Sequence, residues 1–141
     1  MRTLREMFLL AGVAALPAGL AVALHPELAD RRRAGLPDDA VRPVEVNAWE
    51  TPVLWVDARD AAAFARGHIP GALRLDEDTF SESLGALVTA WSPGMRIVVY
   101  CDTTACSRSR ELAQRLRDAG FEDVHHLHGG WEAWSRAHAP R

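Results

Sequence analysis

The sequence predicts an α/β domain layered on a parallel sheet, and three observations carry that prediction. Two runs, Val53-Leu-Trp-Val56 and Ile97-Val-Val-Tyr100, are continuous, apolar and rich in β-branched and aromatic residues, as strands buried on both faces must be. Segments of helical period lie between and after them, so strands alternate with helices and pair in parallel through right-handed crossovers. The punctuation agrees: Asp60, Gly67, Pro93-Gly94, Gly120 and Gly129-Gly130 stand where caps and turns belong. With 141 residues, 48% apolar and 25% charged, the chain has room for one such domain and an appendage, and it is not a disordered composition. The net charge is −3, every basic residue is arginine, and Arg31 to Arg33 is the longest basic run, so no nucleic-acid surface is expected.

Residues 1–24 read as a hydrophobic signal or anchor segment. Arg2 and Arg5 precede Met7 to Leu24, an uncharged stretch without a polar face that as a helix would reach roughly 27 Å at about 1.5 Å per residue, close to a bilayer's hydrocarbon thickness. An uncleaved anchor is the favoured reading. A removed signal peptide is its competitor, because Pro17 interrupts the segment and Ala21-Val22-Ala23 offers a small-x-small cleavage pattern. Both readings take the rest of the chain to a membrane, and we expect the domain on the periplasmic or extracytoplasmic side, with the cytoplasmic face of the membrane as the alternative. Arginines flank the segment on both sides, so charge asymmetry does not orient it. Residues 25–43, polar and broken by Pro26, Gly35, Pro37 and Pro43, read as a linker.

The domain is expected over 44–138. Val44-Glu-Val46 fits a short edge strand, with Asn47 capping one helical turn through Trp49. Val53 to Val56 is the second strand and ends in Asp57. Asp60 caps a short helix, Ala61 to Arg66, which stops at Gly67, and Ala72 to Leu75 supplies the third strand. Phe80, Leu84, Leu87, Val88 and Trp91 form one helical stripe behind Asp78. The Ile97 to Tyr100 strand leads into Cys101 and six short or small residues, after which Glu111, Leu112, Ala113, Leu116 and Ala119 recur at helical spacing up to Gly120. Val124 to Leu127 is the last strand, and a helix carrying Trp131 and Trp134 as core anchors comes after the glycine pair.

This order places Cys101 at the carboxyl end of a strand and below a helix N-terminus. Unpaired N–H groups and the positive end of the helix dipole favour an anion there, so the Cys101 thiolate is expected to form more readily than at the free-cysteine value of about 8.5. A nucleophilic or sulfur-carrying cysteine is the expected result. Asp57 and the Gly129-Gly130 turn also lie just past strand ends, where sites in parallel sheets gather. Asp57 and Arg59 read as a buried structural pair beside the loop. Cys106 is either a small apolar plug or a redox partner, since five residues of curled loop can bring two cysteines within disulfide range. His68 belongs to a tight turn. His125, His126 and His128 lack a further ligand at suitable spacing, so no metal or other cofactor is expected.

Val56-Asp57-Ala-Arg59, Phe64-Ala-Arg-Gly67-His68-Ile69-Pro70-Gly71-Ala72, Val98-Val-Tyr-Cys101, Gly120-Phe121 and Gly129-Gly130-Trp131-Glu-Ala-Trp134 together resemble the rhodanese-like (sulfurtransferase) domain, in order and over roughly residues 44 to 138. The resemblance implies a small doubly wound, three-layer α/β domain, and it matches Cys101 to the cysteine that carries a persulfide in active members. Two features depart from the family. Arg108 comes after Cys101 with six residues between them rather than the usual four, or the five of phosphatase and arsenate-reductase relatives, and Ala63 stands where a glutamate commonly partners the arginine equivalent to Arg59.

From the resemblance we expect a sulfurtransferase. Its donor would be thiosulfate or another small sulfur-containing anion, or a low-molecular-weight or protein persulfide, and a thiol would be the acceptor. The loop Asp102, Thr103, Thr104, Ala105, Cys106, Ser107 and Arg108 would hold the donor, with Asp57 and Arg59 in support. The rival readings are a dithiol/disulfide redox protein using Cys101 and Cys106, and a catalytically silent binding module. A phosphatase-like hydrolase is disfavoured by the loop length.

Overall fold

The computed structural model describes residues 35–75, 78 and 80–140. The fold is that of the compact unit beginning at Asp39. The Met7 to Leu24 segment and most of the expected linker lie outside the described residues. Among the described residues, no helix is long and apolar enough to cross a membrane.

The described residues form, in chain order, β1 (Ala40–Val41), α1 (Pro43–Asn47), β2 (Val53–Asp57), α2 (Ala61–Arg66), β3 (Leu73–Arg74), α3 (Phe80–Ala90), β4 (Arg96–Tyr100), α4 (Arg108–Asp118), β5 (Val124–Leu127) and α5 (Gly130–Ala137). The strands form one five-stranded sheet in the order β1-β5-β4-β2-β3, and every pairing is parallel. β4 is therefore central, with Trp55 opposite Val98 on one side and Val99 opposite His126 on the other.

Strand pleating divides the side chains between two cores. Leu54, Val56, Ile97, Val99 and Val124 face Leu87 of α3 and Leu112, Ala113 and Leu116 of α4. Val98, Tyr100 and Leu127 face the other way, toward Val46 of α1, Phe64 of α2, and Trp131 and Trp134 of α5. Helices on both faces of a parallel sheet make the three-layer, doubly wound α/β fold expected from the sequence. Cores on both sides explain why the runs in β2 and β4 are continuously apolar.

The caps act locally as their residues require. Asp60 accepts the Ala63 N–H at 2.7 Å, which stops α2 from fraying at its start. That N–H bond, with smaller contributions from Arg66 and Arg108, holds the Asp60 carboxyl below the usual carboxylate range. At the end of α4, Gly120 has φ +93 and donates to the Arg117 carbonyl while Phe121 donates to Leu116, the paired bonds of a Schellman stop.

Three expectations are corrected. Val44 to Val46 is helical, because Pro43 stands at the first helical position, where its missing N–H costs nothing, and the Glu45 carboxylate accepts the Arg42 N–H at 2.6 Å. Asn47 closes that helix instead of capping another, and Val44 is 67% exposed. The edge strand is Ala40–Val41, inside the stretch read as linker; both residues are buried, and Ala40 pairs with His126. In α3, Leu87 is fully buried but Val88 is 57% exposed, since the helix meets the sheet beside the two-residue strand β3 and needs only a narrow apolar stripe.

Candidate functional site

Cys101 comes directly after Tyr100, so the central strand delivers it to the carboxyl edge of the sheet, where it is almost completely buried. The chain then curls through Asp102 to Ser107 and enters α4 at Arg108. Within the curl, the Thr103 carbonyl accepts the Cys106 N–H at 3.3 Å, and its hydroxyl accepts the Ala105 N–H at 3.3 Å. This local bonding turns the chain back on itself. Cys101 and Cys106 come to a Cα separation of 6.2 Å and are joined by a disulfide. Cys106 is therefore the covalent partner of Cys101 and not an apolar plug. Cys101 lies beneath the loop and Cys106 is only partly covered.

The turn into α5 closes the loop from the other side. The Trp131 N–H donates to the Cys101 carbonyl at 2.7 Å, and the Glu132 N–H donates to the Asp102 carbonyl at 3.1 Å. Two N–H groups that would be orphaned at the helix start thus find acceptors in the loop backbone. Such close approach needs glycine at Gly130. Its φ is +55, and a Cβ there would strike the Cys101 carbonyl oxygen and lie 2.9 Å from the Asp102 carbonyl carbon, backbone atoms that cannot swing aside. Gly130→Ala is accordingly expected to cost roughly 2 kcal/mol or more, as measured by urea denaturation of the full chain. A change within experimental error would show that the loop yields easily.

Beneath the loop, Asp57 and Arg59 form the buried pair. Asp57 is fully buried and Arg59 is 3% exposed. The Arg59 Nε and Nη2 donate to the two carboxylate oxygens, with shortest contacts of 2.9 and 2.7 Å, and the Arg59 backbone N–H donates to Oδ1 at 2.9 Å. Asp57 thus takes the place of the acid absent at Ala63, while Asp60 is occupied in capping α2. Nη2 also donates to the Gly67 carbonyl at 2.7 Å, and Nη1 reaches Asp102 at 3.5 Å, which connects the pair to the loop. Burial opposes the charge on Arg59, but the hydrogen bond and proximity to Asp57 outweigh it and raise the guanidinium pKa above its ordinary value.

Two neighbours were not singled out for this site by the sequence. The Arg59 guanidinium stacks 4.9 Å from the Trp131 ring and 5.4 Å from that of Tyr100. The Tyr100 hydroxyl accepts the Ile69 N–H at 3.1 Å, and burial, followed by Asp57, pushes its pKa well above the usual phenol range. The Gly-His-Ile-Pro-Gly turn was the available signal for the Ile69 contact. Its His68 stacks on Phe64 at 3.8 Å and so belongs to the turn.

The structure thus brings together Asp57, Arg59, Cys101, Asp102, Cys106 and the Gly129-Gly130 turn. Arg108 opens α4 with its side chain exposed, and Thr104 and Ala105 are exposed at the loop tip. The histidines stand apart from this group: His125 pairs with Asp123 at 2.7 Å, and buried His126 lies 3.4 Å from Asp39. Burial lowers the His126 pKa against the opposing pull of Asp39. A cysteine that can be freed by reduction, at the head of a loop that leads into an eleven-residue helix, is suited to thiolate chemistry with a small anion.

A family model described as the rhodanese-like domain matches residues 41–137. The thiosulfate sulfurtransferase GlpE of Shewanella oneidensis is 36% identical over 84 residues, covering 60% of this chain and 77% of the relative. Among solved structures, a Bacillus halodurans protein superposes with a TM-score of 0.60 at 25% identity, over 80% of this chain and 82% of that one. A thiosulfate sulfurtransferase from Pseudomonas aeruginosa superposes with a TM-score of 0.57 at 24% identity, over 72% of this chain but 19% of that larger one, a likeness of fold.

Proposed function

The chain belongs to the rhodanese-like domain family, and from that membership we propose that it is a sulfurtransferase whose sulfur carrier is reduced Cys101. The observation that carries this reading is the position of Cys101, at the end of the central strand and the head of the loop into α4. Similarity to the Shewanella oneidensis thiosulfate sulfurtransferase supports thiosulfate as a donor.

The Cys101 thiolate attacks the outer sulfur of thiosulfate. The bond between that sulfur and the sulfonate sulfur breaks, sulfite leaves with the electron pair, and the enzyme holds Cys101-S-S⁻. A thiolate acceptor then attacks the terminal sulfur, takes it as a persulfide and restores the Cys101 thiolate. No general base is needed once the thiolate exists. The start of α4 favours both anions, and exposed Arg108 is placed to draw an anionic donor toward the loop. Arg59 has a different part, because its guanidinium is engaged by Asp57 and the Gly67 carbonyl beneath the loop.

The disulfide makes reduction a precondition. The full chain, reduced, freed of reductant and mixed with thiosulfate, is expected to release a burst of about one equivalent of sulfite, as a covalent carrier loads once per active thiol. The oxidised chain should release none until a dithiol is added. A reduced chain giving only background sulfite would overturn the assignment.

A further inference from the structure

The disulfide between Cys101 and Cys106 shows what the loop permits: the sulfur of Cys106 can reach bonding distance of the Cys101 sulfur itself. In a persulfide on Cys101, that atom is the inner sulfur. The transferable sulfur stands one S–S bond farther out, about 2 Å away. We propose that Cys106 resolves the Cys101 persulfide internally, so that the protein reduces the sulfane sulfur of its donor to sulfide. This rests on the sulfur-carrying role proposed for Cys101.

The Cys106 thiol gives its proton to the terminal sulfur of Cys101-S-S⁻, and the Cys106 thiolate so formed attacks the Cys101 sulfur. The bond from Cys101 to the terminal sulfur breaks, and hydrosulfide leaves with the electron pair as the Cys101–Cys106 bond forms. Over loading and resolution together, thiosulfate and the two thiols give sulfite, sulfide and the disulfide. The two thiols supply two electrons to the sulfane sulfur; the Cys106 proton leaves on the hydrosulfide, and the Cys101 proton goes to solvent when its thiolate forms. The state that ends this turnover is the disulfide-closed loop of the structure.

Reopening it requires an external dithiol or low-molecular-weight thiol, and burial sets the direction of that attack. Cys101 is 1% exposed, beneath the loop, whereas Cys106 is only partly covered. A reductant therefore meets the Cys106 sulfur first and expels Cys101 as the leaving thiolate, and a second thiol of the reductant then displaces the mixed disulfide left on Cys106. The reset delivers the carrier cysteine in the form that attacks the next donor. An outside acceptor competes with Cys106 for the same persulfide but attacks the other sulfur, so the two fates have different products.

The test is a single turnover of the full chain, reduced, stripped of reductant and given thiosulfate anaerobically, with sulfite, sulfide, free thiols and intact mass measured together. Wild type is expected to release sulfide in step with sulfite, to lose both thiols and to finish at the disulfide mass. For each equivalent of sulfite that Cys106→Ala and Cys106→Ser release, one added sulfur is expected to stay on the chain, with sulfide only at the background of Cys101→Ser. A sulfite burst from wild type that leaves the added sulfur in place without sulfide would overturn internal resolution while leaving Cys101 as the carrier. Sulfide released equally by both Cys106 variants would also overturn it. Absence of the sulfite burst would remove the carrier role, and this proposal with it.

Discussion

Replacing Cys101 with serine is expected to lower sulfur transfer from thiosulfate to cyanide by roughly a thousandfold or more, to background, as removal of a covalent nucleophile does. Serine is nearly the size of cysteine, but its hydroxyl is not ionised near neutral pH and cannot carry a persulfide. The fold should survive, because the bond that ties this position to α5 uses the backbone carbonyl of residue 101 and the Trp131 N–H. The proper reference is the reduced wild type. A disulfide across so short a loop is worth about 2 kcal/mol by loop entropy alone, and the variant lacks it in every condition. Near-normal transfer by a folded Cys101→Ser chain would exclude Cys101 as the carrier and turn attention to Cys106.

Breaking the pair beneath the loop should have the largest effect on stability. Asp57→Asn leaves the Arg59 guanidinium buried without its counter-charge, and removing one member of such a pair costs about 3–5 kcal/mol. Arg59→Met leaves the Asp57 carboxylate similarly stranded and also takes away the cation stacked on Trp131 and Tyr100. Combining the two substitutions should cost well below the sum of the single losses, since the double variant buries no lone charge. Chemical denaturation of the reduced full chain measures all three. Single losses under about 1 kcal/mol, as for an exposed ion pair, would mean that water reaches the pair and that it does not anchor the loop.

Where the sequence predicted correctly, a repeating physical constraint had left its mark. β2 and β4 are covered on both faces, so Val53 to Val56 and Ile97 to Tyr100 run continuously apolar, and α4 shows its buried side as Leu112, Ala113 and Leu116 before a glycine stop. The strand Ala40–Val41 has no such mark, because two residues between charged neighbours contain no period. Val44 and Val46 resemble strand alternation, and Pro43 with Glu45 was the stronger signal, a helix start. In the site, the acids and cysteines could be identified because their positions after strand ends are local properties. The role of Tyr100 toward Ile69, and of Trp131 toward Arg59, arises only when distant elements pack together. The Asp57–Arg59 pair, by contrast, was legible, because its members stand two residues apart at the end of β2.

The bonds from Trp131 and Glu132 to the loop carbonyls also bear on the order in which the protein is made. A ribosome finishes Cys101 and Cys106 well before the turn that holds their loop, and β1, made long before β5, finds its partner only when β5 has been translated. Throughout that interval both thiols lie in the loop between β4 and α4 without its cover. The nascent chain makes its reactive sulfurs before the residues that shelter them, and the site comes under the fold's protection only once Gly129 to Glu132 can pack against the loop.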